Sequence, residues 1–417
     1  MVNNSKNKNR IGLTQSFKDF FENEKLAGIA LIVCTVVSLF LANSAFQESY
    51  LGFWEMKLDF APFVWVKELT VAYWVNDLLM AVFFLLIGCE LKRELYEGEL
   101  SNLRNALLPI IAAIGGVVVP AGIHFGLNAG SETQAGIGIP MATDIAFALG
   151  ILALLGSRVR ASLKIFLTAL AVIDDLIAIV VIAIFYTSKF SAMYLGLSLG
   201  VFALLMVLNK LKVNSLVFYL IGGAFMWYFM LKSGVHATIA GVLLAFTIPY
   251  TTKTDDPDPL NILEHALHKP VSFLILPIFA LANTGIIIGS GWAAELVSPN
   301  SLGIILGLFV GKVIGVTAAS FIAVKCKIGR LPIGLRWMHI VGAGLLAGIG
   351  FTMSIFITNL AFIGNAALIN SSKMAILFAS LVAGVFGYVW FLLLSKVDNT
   401  KESLDSVSYN DDDEEDE

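Results

Sequence analysis

Twelve stretches of the sequence are apolar for long enough to cross a lipid bilayer: about 27–45, 75–91, 105–127, 136–156, 164–187, 192–209, 214–231, 234–250, 270–289, 302–324, 339–363 and 374–395. A hydrocarbon core of about 30 Å takes roughly 20 such residues as a helix. No water inside that core can satisfy a backbone amide, so each run must satisfy its own as a helix. Of the 417 residues, 58% are hydrophobic and 14% charged, where a soluble domain carries about 25% charge. The expected fold is an all-α polytopic membrane protein of about 12 transmembrane helices. A cytoplasmic segment 1–26 precedes the membrane domain 27–396, and the acidic tail 397–417, ending "DDDEEDE", is expected to be disordered.

The basic residues orient the chain. Of 27 Lys and Arg, only Lys57, Lys67, Lys189, Lys232 and Lys373 fall on one side of the membrane in this scheme. Lys312 lies inside a span, and all the others fall on the opposite side. The positive-inside rule makes that richer side cytoplasmic, with both termini there. An acidic net charge of −4 and basic residues scattered over short loops argue against a nucleic-acid partner. Cys34, Cys89 and Cys326 have no metal-ligand spacing and suggest no disulfide framework. The polar first 25 residues lack the h-region of a cleaved signal peptide.

Between the first two spans, "FWEMKLDF" and "VWVKELTV" partly alternate around "APF", which predicts a short external hairpin or an interfacial aromatic loop. Residues 251–269 read as a long cytoplasmic loop. Two spans look interrupted. Pro140 breaks "GIGIPMATDIAFALGILALL", and glycines 342, 344, 348 and 350 loosen "GAGLLAGIGFTMSIFITNL" ahead of Thr352 and Ser354. These are helices 4 and 11, so helices 3–5 and 10–12 become two triplets, each with a broken middle helix. Helix 3 begins inside and helix 10 outside, which makes the repeats inverted. Paired broken helices in opposed repeats point to a transporter's midplane site.

Few charges fall at depth: Asp144, Asp174, Asp175 and Lys312. Asp77 lies at the outer start of helix 2, and Glu90 and Glu94 near its inner end. Ionisable residues inside a membrane are functional candidates, and one lysine cannot neutralise three carboxylates, so a purely structural ion pair does not account for the set. Adjacent residues on a helix point about 100° apart. Asp174 and Asp175 therefore cannot form a matched pair facing one cavity. One can face an ion path while the other meets a neighbouring helix, where Lys312 is the basic candidate. A carboxylate taken out of water favours its proton. It can then hold a proton or a hard cation, but hardly both, and hard cations want oxygen ligands. Thr143, the carboxylates and the free carbonyls of a broken helix supply them. Competition of H⁺ and Na⁺ for one site, with alternating access, suffices for antiport.

Several segments, "NDLLMAVFFLLIGCELKREL", "ATDIAFALGILALLG", "AVIDDLIAIVVIAIFYT", "GVHATIAG", "LILPIFALANTG", "GKVIG" and "GIGFTMSIFI", strongly resemble the NhaA-type Na⁺/H⁺ antiporters, over roughly residues 27–395. The resemblance implies a transporter rather than an enzyme, without cofactor, in a bacterial inner membrane. It would exchange cytoplasmic Na⁺ or Li⁺ for external H⁺ under pH regulation, electrogenically, with two protons per cation, serving Na⁺ extrusion and pH homeostasis. Asp174 and Asp175 match the family's essential aspartates and would bind Na⁺, with Asp175 the direct ligand and Asp174 the partner of Lys312. Asp144, beside Thr143, would balance the ends of the crossed half-helices. Asp77, Glu90 and Glu94 match funnel and gating positions, and Glu264, His265 and His268 the pH-sensing region. His236 is read as packing. The resemblance further implies a homodimer through the helix 1–2 hairpin, although that loop is longer here and the acidic tail has no counterpart.

Two other classes are weaker. An intramembrane aspartyl protease needs YD and GxGD contexts, and "IDD" and "ATD" match neither. A sodium-coupled symporter of related inverted-repeat fold would need an organic-solute pocket, and Lys312 would be out of place beside a sodium site.

Overall fold

The computed structural model describes residues 25–58, 69–187, 190–250 and 258–411. Numbered along the chain, its spans begin with α1 (Lys25–Ala42), α2 (Val71–Tyr96) and α3 (Leu103–Asn128). There follow α4 in two pieces (Glu132–Met141 and Ile145–Leu154), α5 (Ala161–Phe185), α6 (Ala192–Lys210) and α7 (Leu216–Ser233). The second half comprises α8 (Ile239–Thr247), α9 (Pro259–Asn283), α10 (Pro299–Lys325), α11 in two pieces (Trp337–Ala347 and Phe351–Ala361) and α12 (Ala366–Val397). Among the described residues nine helices are long and apolar enough to cross a membrane, or eleven when each bent pair is one span. The helical backbone of α12 runs on to Asp411. Residues 1–24 and the last residues of the acidic tail, 412–417, lie outside the described residues.

Helix α12 begins at Ala366 rather than 374 and α9 ends at Asn283 rather than 289, and two further differences change an element. The run 234–250 is helical only over Ile239–Thr247, about 14 Å of helix. Gly234 takes a left-handed φ of 83° to end α7, and the chain turns through Thr238 before helix resumes. The second correction is to the loop expected over 251–269, because α9 starts already at Pro259. Asp258 accepts a hydrogen bond from Asn261 N at 2.8 Å, and proline fits the first helical position, where no N–H is needed.

The helix 1–2 connection contains a hairpin, as one of the two sequence readings had it. Strand β1 (Lys57–Leu58) pairs antiparallel with β2 (Leu69–Thr70). The breaks in α4 and α11 fall where expected, with bends of 42° and 47°.

Packing divides the spans into two groups. The triplets α3–α5 and α10–α12 interlock, with α3 against α10 the most extensive contact, while α2 packs on α8 and α9, and α6 on α7. At the α3–α10 crossing Gly115 faces Gly315, and a methyl on either would run into the backbone of the other. Small residues at such a crossing let two membrane helices approach closely. Of the nine continuous spans among the described residues α5 is the most enclosed, 67% of its apolar window being buried against 11% for α6. The exposed apolar side chains of α6 and α7, such as Leu204, Phe218 and Phe225, are what a lipid-facing surface requires.

Three spans each contain one wide turn with i→i+5 bonding: Val75–Leu79 in α2, Val271–Ile275 in α9 and Gly307–Gly311 in α10. Such turns cluster at functional sites. In α10 the widened turn ends at Lys312, whose own N–H reaches back to Gly307 O. The Arg93–Glu264 ion pair ties the end of α2 to the start of α9. Arg160 likewise donates to Gly334 O, tying the start of α5 to the loop before α11. These ends form the basic end of the bundle.

Candidate functional site

The site assembles where α4 and α11 break and pass each other. A broken helix leaves N–H groups at one new end and carbonyls at the other, and these carry the partial charges of the helix dipole. Here the two breaks satisfy one another. Asp144 N donates to Ile349 O at 2.6 Å, and Thr143 Oγ1 lies 2.9 Å from Ala347 O. The Asp144 carboxylate meets both half-helix N-termini. Its Oδ1 accepts from Phe147 N at 2.9 Å, and its Oδ2 from Thr352 N at 3.0 Å and Thr352 Oγ1 at 2.5 Å. Glycine at 348 is a matter of space, since a side chain there would strike the carbonyl of Leu308 on α10.

Helix α5 brings its aspartates to this crossing. Lys312 Nζ lies 2.5 Å from Asp174 Oδ2, and both side chains are fully buried. Thr143 Oγ1 is 2.6 Å from the same oxygen; its single proton serves either Asp174 or Ala347 O at a given moment. Asp175 is fully buried too, and neither of its carboxylate oxygens meets a protein donor. Its charged neighbours are Asp174, Asp144, Lys312 and Glu90. The two adjacent aspartates thus have unlike partners, as their angular separation requires.

A cavity of about 90 Å³ opens at the basic end between α2, α4, α5 and α9. Glu90, Arg93 and Glu94 line it from α2, Glu264 and His268 from α9, and Thr168 and Val172 from α5. Thr168, Val172 and Asp175 follow one another at helical spacing, so the α5 wall of the cavity leads toward the Asp175 face. Arg93 Nε donates to both Glu264 oxygens, at 3.0 and 3.2 Å.

The remaining expected residues are not all gathered there. His265 is exposed and does not line the cavity, whereas Glu264 and His268, one turn apart, do. Asp77 lies in the wide turn of α2 with Tyr73 as hydrogen-bond partner, about 20 Å along the helix from Glu90. His236 Nε2 contacts Tyr186 O at 2.9 Å, a packing contact that ties the turn before α8 to the end of α5. Among the described residues no three His, Cys, Asp or Glu side chains are placed to hold a metal ion.

Sequence reasoning missed Thr168 and Val172, which carry no charge and are ordinary in an apolar helix. It missed the clamp made by Tyr186, which donates to Ala135 O at 2.7 Å and accepts from Gly138 N at 3.2 Å. It also missed the double role of Thr352 on Asp144. The i, i+4, i+7 spacing from Thr168 through Val172 to Asp175 was the one signal that could have found the cavity wall.

The family model described as Na⁺/H⁺ antiporter 1 matches residues 18–391. A Na⁺/H⁺ antiporter NhaA of Dechloromonas aromatica is 63% identical over 93% of this chain and 98% of its own length. One of Cytophaga hutchinsonii is 55% identical over 95% of this chain and all of its own. One of Pelagibacter ubique is 50% identical over 92% and 99%.

Proposed function

Because the chain belongs to the Na⁺/H⁺ antiporter 1 family, we propose that it exchanges Na⁺ for H⁺ at Asp175, as a multi-pass protein of a bacterial inner membrane. The observation that carries the assignment is the pair of Asp175 oxygens, fully buried and without a protein donor, on the helix face that walls the cavity from the basic end. A carboxylate so placed takes its counter-charge from a proton or from a hard cation. Asp174 holds Lys312 and Thr143 on Oδ2 and leaves Oδ1 without a protein donor, so it is the second ligand, its Oδ2 available only when that contact is released.

The exchange runs as follows. Na⁺ arriving from the basic end displaces the proton of Asp175 and draws Asp174 away from the Lys312 ammonium. A lysine that loses its carboxylate inside a low-dielectric site gives up a proton in turn. Two protons then leave for one cation, and a cycle moves one net charge. Thr143 Oγ1, within hydrogen-bond distance of both Asp174 Oδ2 and the carbonyl of Ala347, brings a neutral oxygen to this event. Asp144 holds the two half-helix N-termini together throughout and is the electrostatic anchor rather than a ligand. Li⁺, a smaller hard cation of the same charge, fits the same donor set.

The basic end is the cytoplasmic side by the positive-inside rule, with both termini there. Glu90, Glu94, Glu264 and His268 line the entry, and Asp77 belongs to the exit on the opposite face. Regulation by pH belongs to the Arg93–Glu264 pair and His268, with His265 at the surface of the same helix turn. The hairpin of β1 and β2 supplies the edge for a homodimer. A cavity of about 90 Å³ is far below the roughly 300 Å³ at which organic-ligand sites begin, which disfavours the symporter reading.

Asp175→Asn keeps the volume and removes both the charge and the titration. In everted vesicles it should abolish the Na⁺-driven pH change while leaving the protein folded and in the membrane. Full activity in that variant would overturn the site assignment.

A further inference from the structure

At the end opposite the cavity, four helices from the two packing groups meet through side-chain amides. Asn76 sits in the wide turn of α2, Asn283 is the last residue of α9, Asn359 lies near the end of α11, and Lys373 is on α12. Asn283 Nδ2 donates to Asn76 Oδ1 at 3.0 Å, and Asn359 Nδ2 donates to Asn283 Oδ1 at 2.8 Å and to Asn76 Oδ1 at 3.4 Å. Lys373 Nζ comes within 3.5 Å of Asn283 Oδ1. Backbone bonds fix the amides: Asn283 Nδ2 also donates to Phe279 O at 3.0 Å, and Asn76 Nδ2 to Ala72 O at 2.8 Å. The oxygens of Asn76 and Asn283 thus face donors, and turning either of these amides over would set N–H against N–H.

In this cluster every bond between the groups joins α2 or α9 to α11 or α12. One level deeper, Phe84 of α2 meets Phe356 of α11 with ring centroids 5.7 Å apart, both rings being buried. Phe356 precedes Asn359 by three residues, about 4.5 Å along the helix. An aromatic layer and an amide layer therefore stack between the Asp175 region and this end, while the cavity approaches from the other.

We propose that Asn76, Asn283 and Asn359, extended by Lys373, form the outer gate of the transport path, closed here by amide–amide bonds and opened when α11 and α12 move away from α2 and α9. The proposal rests on the transport reading above. Neutral amides suit the task, because each bond can be exchanged for water at little net cost, whereas a salt bridge at depth would hold the groups shut. The wide turn under Asn76 and the end of α9 at Asn283 are both places where backbone can yield. Asn76 and Asn283 are gating residues and touch neither Asp174 nor Asp175 in the bonds they make.

The test uses the full chain with Cys34, Cys89 and Cys326 replaced and Asn283→Cys and Asn359→Cys introduced, bridged by a short reducible bifunctional thiol reagent. Bridging should lower Na⁺/H⁺ exchange in proteoliposomes at least about tenfold, because opening of a gate limits turnover, and reduction should restore it. Na⁺-induced proton release by the bridged protein in detergent, through the open basic end, should stay within about twofold. Unchanged exchange after complete bridging would overturn the gate, and so would loss of proton release together with exchange. Absence of exchange in the unbridged parent would instead strike the transport reading.

Discussion

On α5 the step from Asp174 to Asp175 turns the side chain by about 100°, and its neighbours change with it. Asp174 is held by an ammonium and a hydroxyl, while Asp175 has no protein donor. A buried ion pair adds little net stability, but removing one partner leaves a charge without compensation. The lysine and Asp174 therefore have to be treated as a unit that opens only when another cation takes the carboxylate. Thr143 is the neutral member of this group. Hydrogen bonds inside membrane proteins contribute about 0.6 kcal/mol on average and up to about 1.7. The Thr143 bond belongs at the upper end, since its acceptor is a carboxylate and its alternative is the end of a broken helix. Thr143→Val, which keeps the shape, should lower the melting temperature of the purified protein, and Thr143→Ser should not. Equal melting of all three would show that the hydroxyl bond carries no stability.

At the scale of elements, the short helix α8 shows how a chain keeps a helix end inside the membrane domain. Its last carbonyls would lie unsatisfied. Lys92 Nζ takes Phe246 O at 2.9 Å and Ile248 O at 2.5 Å, and Asn209 Nδ2 takes Thr247 O at 2.7 Å. A cation at a helix C-terminus is favoured by the dipole as well. Lys92→Met fills the same space without the charge. Hydrogen bonds to a charged group are worth about 1.5–3 kcal/mol, so amide hydrogen exchange across residues 243–248 should rise by about tenfold or more in that variant. Exchange confined to the wild-type rate would mean that packing alone holds α8. The same logic governs α4 and α11, where each break satisfies the other and Asp144 joins both N-termini. The sequence marked these breaks through Pro140 and the glycines of 342–350. It did not mark the wide turns in α2, α9 and α10, because an inserted residue in a helix leaves the apolar pattern nearly intact.

Considered as a whole, the molecule places an aqueous approach on the basic end and a closed amide layer on the other, with the charged site between. The proposed exchange of two protons for one cation would make the membrane potential a driving force. In proteoliposomes, Na⁺/H⁺ exchange should therefore accelerate when a potential is imposed in the direction of net charge movement, and lose that response when the potential is clamped at zero. Indifference to the potential would require equal numbers of protons and cations. The twelve apolar runs, the sidedness of lysine and arginine, the two breaks and the depth of four charges were all legible in the sequence. Each is a local property, set by hydropathy, by backbone chemistry or by counting residues along a helix. The expectation of a long loop over 251–269 failed although its correction was also local, in the "DPDP" that caps α9. What the tertiary structure decided is which groups meet. The pairing of Asp174 with Lys312 spans 138 positions, the Asp144–Thr352 bond 208 and the Asn76–Asn359 contact 283. No periodicity records such distances. The sequence determined that charges would be buried at midplane, because helices carry them there. Only the packing of α3 on α10 and the crossing of α4 with α11 decided which charge is compensated, and which is left to an ion.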